Sequence, residues 1–171
     1  MNIVLIGYRG TGKSAVGGLL AGRLGMACIA MDGEIVRRAG ISIPEIVANE
    51  GWPGFRDRES ALARELGERD GLVIDTGGGV IERPENIAAL GNNGCIVWLK
   101  ASVATIVARI EGDTGRPALT AGKSFTDEVA EVLERRTPLY RTAACAEIDT
   151  DDLTPEQIAD RIIAIFEEKQ R

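Results

Sequence analysis

The stretch Gly7-Tyr8-Arg9-Gly10-Thr11-Gly12-Lys13-Ser14 decides how this chain is read. It matches G-x-x-x-x-G-K-[ST], in which glycines let backbone N–H groups turn inward around a polyphosphate. The motif needs a strand before it and a helix after it, and the flanks supply both. Residues 2–6 are an apolar run of the kind that forms a buried parallel strand. Residues 14–24 carry Val16, Leu19, Leu20 and Leu24 at helical spacing. The helix N-terminus adds its positive end to the loop. Lys13 is expected to reach the β- and γ-phosphates, and the Ser14 hydroxyl to ligate Mg²⁺. Nucleoside-triphosphate binding by Gly10, Thr11, Gly12, Lys13, Ser14 and Ala15 follows.

Outward from the loop, apolar runs at 27–31, 72–74, 95–99 and 147–149 read as further strands. Helices are expected over 34–39, 43–49 and 55–66, broken by Gly40 and by Gly51-Trp52-Pro53-Gly54. Asp70-Gly71 is a turn signal, and strand 72–74 runs into Thr76-Gly77-Gly78-Gly79. Ser102 caps a helix reaching about Ile110, and residues 126–136 form another that stops near Pro138. Thr154-Pro155-Glu156-Gln157 gives an N-cap, a first-turn proline and a capping-box glutamine for the last helix. Residues 111–124 are rich in Gly, Thr and Pro and lack apolar period, so they read as a loop. About five strand–helix alternations predict an α/β fold, a parallel sheet with helices on both faces.

Composition narrows the function. With 171 residues the chain fits one domain, 1–171, and its 44% hydrophobic and 27% charged residues describe a globule rather than a disordered segment. The absence of histidine excludes histidine bases, Ser-His-Asp triads and histidine metal sites. A net charge of −6 argues against nucleic acid as a partner. Of 20 basic residues, 16 are arginines, whose planar forks suit carboxylate and phosphate. Cys28, Cys95 and Cys145 show no metal-ligand spacing and sit in apolar runs, so they read as small core residues, reduced in a cytoplasmic protein. The N-terminus lacks the basic start of a signal peptide, and no apolar stretch approaches the ~20 residues of a membrane helix. Late acidic residues, Glu147 to Glu168, read as a solvated face.

Asp75-Thr76-Gly77-Gly78 matches the D-x-x-G of a GTPase, but no N-K-x-D segment follows. A small-molecule kinase fits better. Such an enzyme needs an acceptor pocket and a cationic lid, for which residues 111–124, with Arg116 in the middle, are the candidate. Four more segments converge: Met31-Asp32-Gly33-Glu34-Ile35, Gly54-Phe55-Arg56-Asp57-Arg58-Glu59, Gly77-Gly78-Gly79 and Arg135-Arg136-Thr137-Pro138-Leu139-Tyr140. With the phosphate loop and Gly115-Arg116-Pro117, their order resembles the shikimate kinase family, from Met1 to about Ile165.

The resemblance implies a three-layer P-loop fold like that of the nucleoside-monophosphate kinases, with a five-stranded parallel sheet and a mobile lid. It implies transfer of the ATP γ-phosphoryl to the 3-hydroxyl of shikimate, with Mg²⁺, in a cytoplasmic monomer serving aromatic amino-acid biosynthesis. It assigns an acceptor region at about 32–60. Arg56 and Arg136 would grip the shikimate carboxylate, as guanidinium forks suit. Glu59, three residues after Arg56, would hold that arginine. Gly77, Gly78 and Gly79 would let backbone approach the ring. Asp32 would bind the acceptor hydroxyls and take the proton. Arg116 and Lys13 would stabilise the transferring phosphoryl, and Arg109 would stack on adenine. Taken singly, Arg56–Glu59 also fits a surface pair, Arg136 a helix C-terminus, and Asp32 a cap.

The chain departs from the family pattern. The family's D-x-D at the second strand end is Ala30-Met31-Asp32, so the carboxylate that helps hold Mg²⁺ through water is missing. Asp75 stands where a small or hydroxyl residue is common, and is the candidate replacement. Trp52 replaces a common acidic residue, and Val47 an aromatic near the ring. These differences leave open a kinase for another hydroxy acid such as gluconate, or a weakly catalytic regulatory protein.

Overall fold

The computed structural model describes residues 1–110 and 124–171. The expected lid, Arg116 included, lies outside the described residues apart from Ser124. Five strands form one sheet: β1 (Asn2–Ile6), β2 (Ala27–Ala30), β3 (Leu72–Asp75), β4 (Gly94–Lys100) and β5 (Ala146–Asp149). The order is β2-β3-β1-β4-β5 and every pairing is parallel, so β1 is central and β2 and β5 are edges. Alternation along β1 explains the layers. Val4 and Ile6 point into one core with Met31, Phe55, Leu66 and Tyr140, whereas Ile3 and Leu5 point into another with Val16, Leu20, Ile158 and Phe166. Helices α1 (Lys13–Leu24) and α7 (Pro155–Gln170) supply the second core. The first is built by α2 (Met31–Ala39), α3 (Ile43–Gly67), α4 (Pro84–Gly91) and the end of α6 (Phe125–Ala143). Helix α5 (Val103–Ile110) packs through Ile106 and Ile110 against Val129 and Val132 of α6. No helix among the described residues is long and apolar enough to cross a membrane.

The break expected between helices 43–49 and 55–66 is present at Gly51, whose φ of 70° and ψ of 176° are non-helical, so α3 is two helical stretches meeting at a kink, and the structure differs from the sequence reading in three other places. Pro53 adds no second break, because it falls just after the kink, where the restarting turn needs no N–H from it. Helix α6 runs past the expected stop at Pro138 to Ala143. Tyr140 is fully buried there, and burying so large a side chain offsets the ~3 kcal/mol cost of an internal proline. A short 3-10 turn, Val80–Glu82, and α4 were not expected, although Pro84 at the first position and Glu85 in the first turn are start signals. Only Cys95 is a core cysteine. Cys28 and Cys145 are exposed, because they lie on or beside the two edge strands. The late acidic residues are solvent-exposed, as expected.

Candidate active site

Strands β1, β2 and β3 end at one rim of the sheet, and the loops leaving them surround a cavity of about 450 Å³. Gly10, Gly12, Lys13, Ser14 and Ala15 line one side, Ala30 and Asp32 a second, and Asp75, Gly77 and Gly78 a third. The phosphate loop is a rigid cradle. Gly12 caps α1 with φ at 91°, a conformation that favours glycine and leaves the first-turn N–H groups pointing at the cavity. Thr11 Oγ1 donates to the Tyr8 carbonyl at 2.8 Å, and Lys13 Nζ donates to the carbonyls of Gly7 and Tyr8 at 2.8 and 2.9 Å. Lys13 is thus 7% exposed, with its ammonium held over the loop it serves.

Asp32 is in the first turn of α2, directly after β2. It is not the cap, which is Ala30 with no side-chain cap bond, but its charge complements the helix N-terminus while it lines the cavity. Asp75 ends β3, where Ala30 is its partner across the parallel register to β2. Asp75 Oδ2 accepts from Ser14 Oγ at 2.6 Å. A carboxylate one strand over from the missing one is therefore joined to the phosphate-loop hydroxyl. Oxygen donors of this type suit Mg²⁺, and the pair fits it.

Two arginines adjoin the cavity through the glycines. Arg56 donates through Nη1 to Glu59 Oε2 at 2.8 Å, and Glu59 is 0% exposed, so this is a buried pair and not a surface one. The Arg56 guanidinium also lies 5.3 Å from the Trp52 ring and 5.4 Å from the Phe55 ring, and the two rings meet edge to face. Each such contact contributes about 0.5–1 kcal/mol or more where water is excluded. Trp52 thus packs its ring against Arg56 and Phe55, where the family pattern commonly has an acidic residue. A Cβ on Gly79 would fall on the Arg56 guanidinium, and one on Gly78 would come within 3.5 Å of Arg136 Nη1. At Gly79 a side chain would displace the Arg56 guanidinium from this position, whereas at Gly78 it would make only ordinary contact.

Arg136 sits within α6, seven residues before its end, and its side chain is 4% exposed. It does not serve the helix C-terminus. Its Nε donates to Glu82 Oε1 at 2.7 Å, the same oxygen that accepts from Arg135 Nη2 at 2.8 Å. Burial pushes the Glu82 carboxyl up, but the Arg136 hydrogen bond and the charges of Arg136, Arg135 and Arg56 outweigh it and hold the group below its ordinary value. The Tyr140 hydroxyl donates to the Gly78 carbonyl, and the Tyr8 ring lies 5.9 Å from the Arg136 guanidinium. Burial pushes Tyr140 far up, against the opposing charge of Arg136, so it stays a donor.

Arg109 donates through Nη1 to the Gly10 carbonyl at 3.0 Å and through Nη2 to the Thr150 carbonyl at 3.3 Å. It lies where the phosphate loop meets the end of β5. Glu82, Tyr140 and Thr76 were not read as site residues, and Trp52 was noted only as a departure on the acceptor side. Thr76 Oγ1 donates to the Leu5 carbonyl at 2.8 Å and ties the glycine run to β1. Tyr140 was visible in the segment ending Pro138-Leu139-Tyr140, but Glu82 carried no local signal, since its partners are more than 50 residues away.

A phosphate loop at the head of a parallel α/β sheet, opening onto an arginine-flanked cavity, defines a P-loop kinase for a small anionic acceptor. The shikimate kinase family model matches residues 9–167. The chain is 44% identical to a shikimate kinase of Pseudomonas savastanoi pv. phaseolicola over 164 residues, 95% of this chain and 94% of that one. It is 40% identical to a shikimate kinase of Thermodesulfovibrio yellowstonii, over 97% of this chain and 95% of the other. The solved shikimate kinase of Acinetobacter baumannii in complex with shikimate superposes with a TM-score of 0.93 at 36% identity, over 98% of this chain and 93% of that one. This chain belongs to the shikimate kinase family.

Proposed function

We propose that this chain moves the γ-phosphoryl of ATP to the 3-hydroxyl of shikimate, giving shikimate 3-phosphate and ADP. The observation that carries the reading is the pair of buried arginines, each with its own carboxylate, converging on Gly78 and Gly79 beside the phosphate loop. A cyclic carboxylate fits that pair, and its ring would lie against the glycines and Trp52. The family match, together with these arginines, favours shikimate over gluconate and over a purely regulatory role.

Catalysis on this reading is positioning plus electrostatics. Arg56 and Arg136 fix the acceptor carboxylate and thereby aim one hydroxyl at the phosphate loop. Asp32 accepts the hydroxyl proton as the oxygen attacks phosphorus. The backbone N–H groups of residues 10–15 and the Lys13 ammonium hold the phosphates in line. Arg109 holds the adenine side, and Arg116, outside the described residues, would stabilise the transferring phosphoryl. Ser14 and Asp75 would hold Mg²⁺, which supplies charge neutralisation on the transferring phosphoryl.

The test is ADP release at saturating ATP and Mg²⁺, with and without shikimate. Release stimulated strongly by shikimate, with gluconate inert, is the expected result. Release indifferent to shikimate rejects the proposal.

A further inference from the structure

Cys95 and Cys145 are 50 residues apart in the chain, yet their sulfurs lie 3.2 Å from each other. Cys95 is on β4 and buried, and Cys145 is exposed immediately before β5. The Cys145 N–H donates to the Ile96 carbonyl at 2.9 Å, so the backbones on either side of the two sulfurs are pinned together. A disulfide needs ~2.05 Å between sulfurs, roughly 1 Å less than their present separation. Cys28 is on β2, at the opposite edge of the sheet. The pair is thus isolated from the third thiol, and it lies on the edge remote from the Ser14–Asp75 contact.

We propose that Cys95 and Cys145 are a modification site, a dithiol that a peroxide converts to an intramolecular disulfide joining β4 to the start of β5. The two sulfurs have different roles. Burial, with the Cys145 thiol beside it, pushes Cys95 up to about 12, so it stays protonated. Cys145 meets the oxidant first, at the surface, in a shallow cavity of about 200 Å³ that Arg141 and Glu147 also line. Its sulfur takes one peroxide oxygen as the O–O bond breaks, and water leaves with the second. The Cys95 sulfur then attacks Cys145, the S–S bond forms, the S–O bond breaks, and the Cys95 proton leaves with the hydroxide as a second water. Two thiols are oxidised and one peroxide is reduced.

The bridge would tie together the two ends of the segment that carries α5, residues 111–123 and α6, and therefore Arg109 and Arg136.

Hydrogen peroxide applied to the full chain, followed by thiol counting and peptide mapping, tests the site. The expected result is a fall from three free thiols to one, a mass lower by two hydrogens, and a single cross-linked peptide pair containing Cys95 and Cys145. Dithiothreitol should reverse it. Cys28→Ser should form the same bridge, and Cys145→Ser should form none while keeping the circular dichroism of the parent. Retention of all three thiols, a bridge that includes Cys28, a disulfide-linked dimer, or Cys145 carried to a sulfinic acid beside an unmodified Cys95 would each overturn the proposal.

Discussion

Arg136 is held by Glu82: its Nε donates to Glu82 Oε1 at 2.7 Å, and its Nη1 lies toward Gly78 at the cavity. The arrangement mirrors Arg56 with Glu59, so each arginine reaches the glycine run already oriented. Pre-orientation lowers the conformational cost of binding a carboxylate. Glu82→Ala is expected to raise the shikimate KM roughly tenfold, about 1.4 kcal/mol, with kcat nearly unchanged. Glu82→Gln, which keeps an acceptor oxygen, should restore part of it. Steady-state kinetics with shikimate varied reads the split, and an unchanged KM would refute the positioning role.

The same contact predicts a pH dependence of stability. The folded Glu82 carboxyl lies below its ordinary value, so its contribution is present above the ordinary ~4.3 and is lost as pH falls through the lower folded value. The wild type should therefore exceed Glu82→Gln in urea midpoint near neutrality, and the two midpoints should draw together as pH falls below the ordinary ~4.3. A difference that persists at low pH would contradict this.

Removing Glu59 should cost stability as well as binding. The carboxylate is 0% exposed, and Arg56 would be left as a buried cation between Trp52 and Phe55. Breaking a buried pair in this way typically costs about 3–5 kcal/mol. Urea unfolding of Glu59→Ala should show a loss of that order. A loss below about 1 kcal/mol would mean that the pair is solvated like a surface one.

Asp75 and Ala30 form a reciprocal test. They are register partners on β3 and β2, and Asp75 accepts from Ser14 at 2.6 Å. Asp75→Ala should raise the Mg²⁺ concentration for half-maximal rate by about 10–100-fold. Adding Ala30→Asp to that variant should bring it back, and Mn²⁺ binding followed by electron paramagnetic resonance should move in parallel. An unchanged metal requirement in Asp75→Ala would remove Asp75 from the metal site.

Much of the site was legible where chemistry depends on local spacing. The phosphate loop needs glycines, a lysine and a hydroxyl within eight residues, and that is a property of one turn. Arg56 and Glu59 share a helix face three residues apart, so their pairing could be read from the chain, although its burial could not. The break at Gly51 was legible from the glycine itself, whereas the passage of α6 through Pro138 was misread because a local breaker was weighed without the burial of Tyr140 beyond it.

The sequence by itself determined the order of strands and helices, the phosphate-binding loop and the family, since periodicity and short motifs are carried by neighbouring residues. The tertiary structure alone decided that Glu82 holds Arg136, that Asp75 stands beside Ala30, and that two of the three cysteines touch. Each of these contacts joins residues from separate strands or helices. Sheet order and register bring them together, and those arise from packing two cores at once rather than from any one segment.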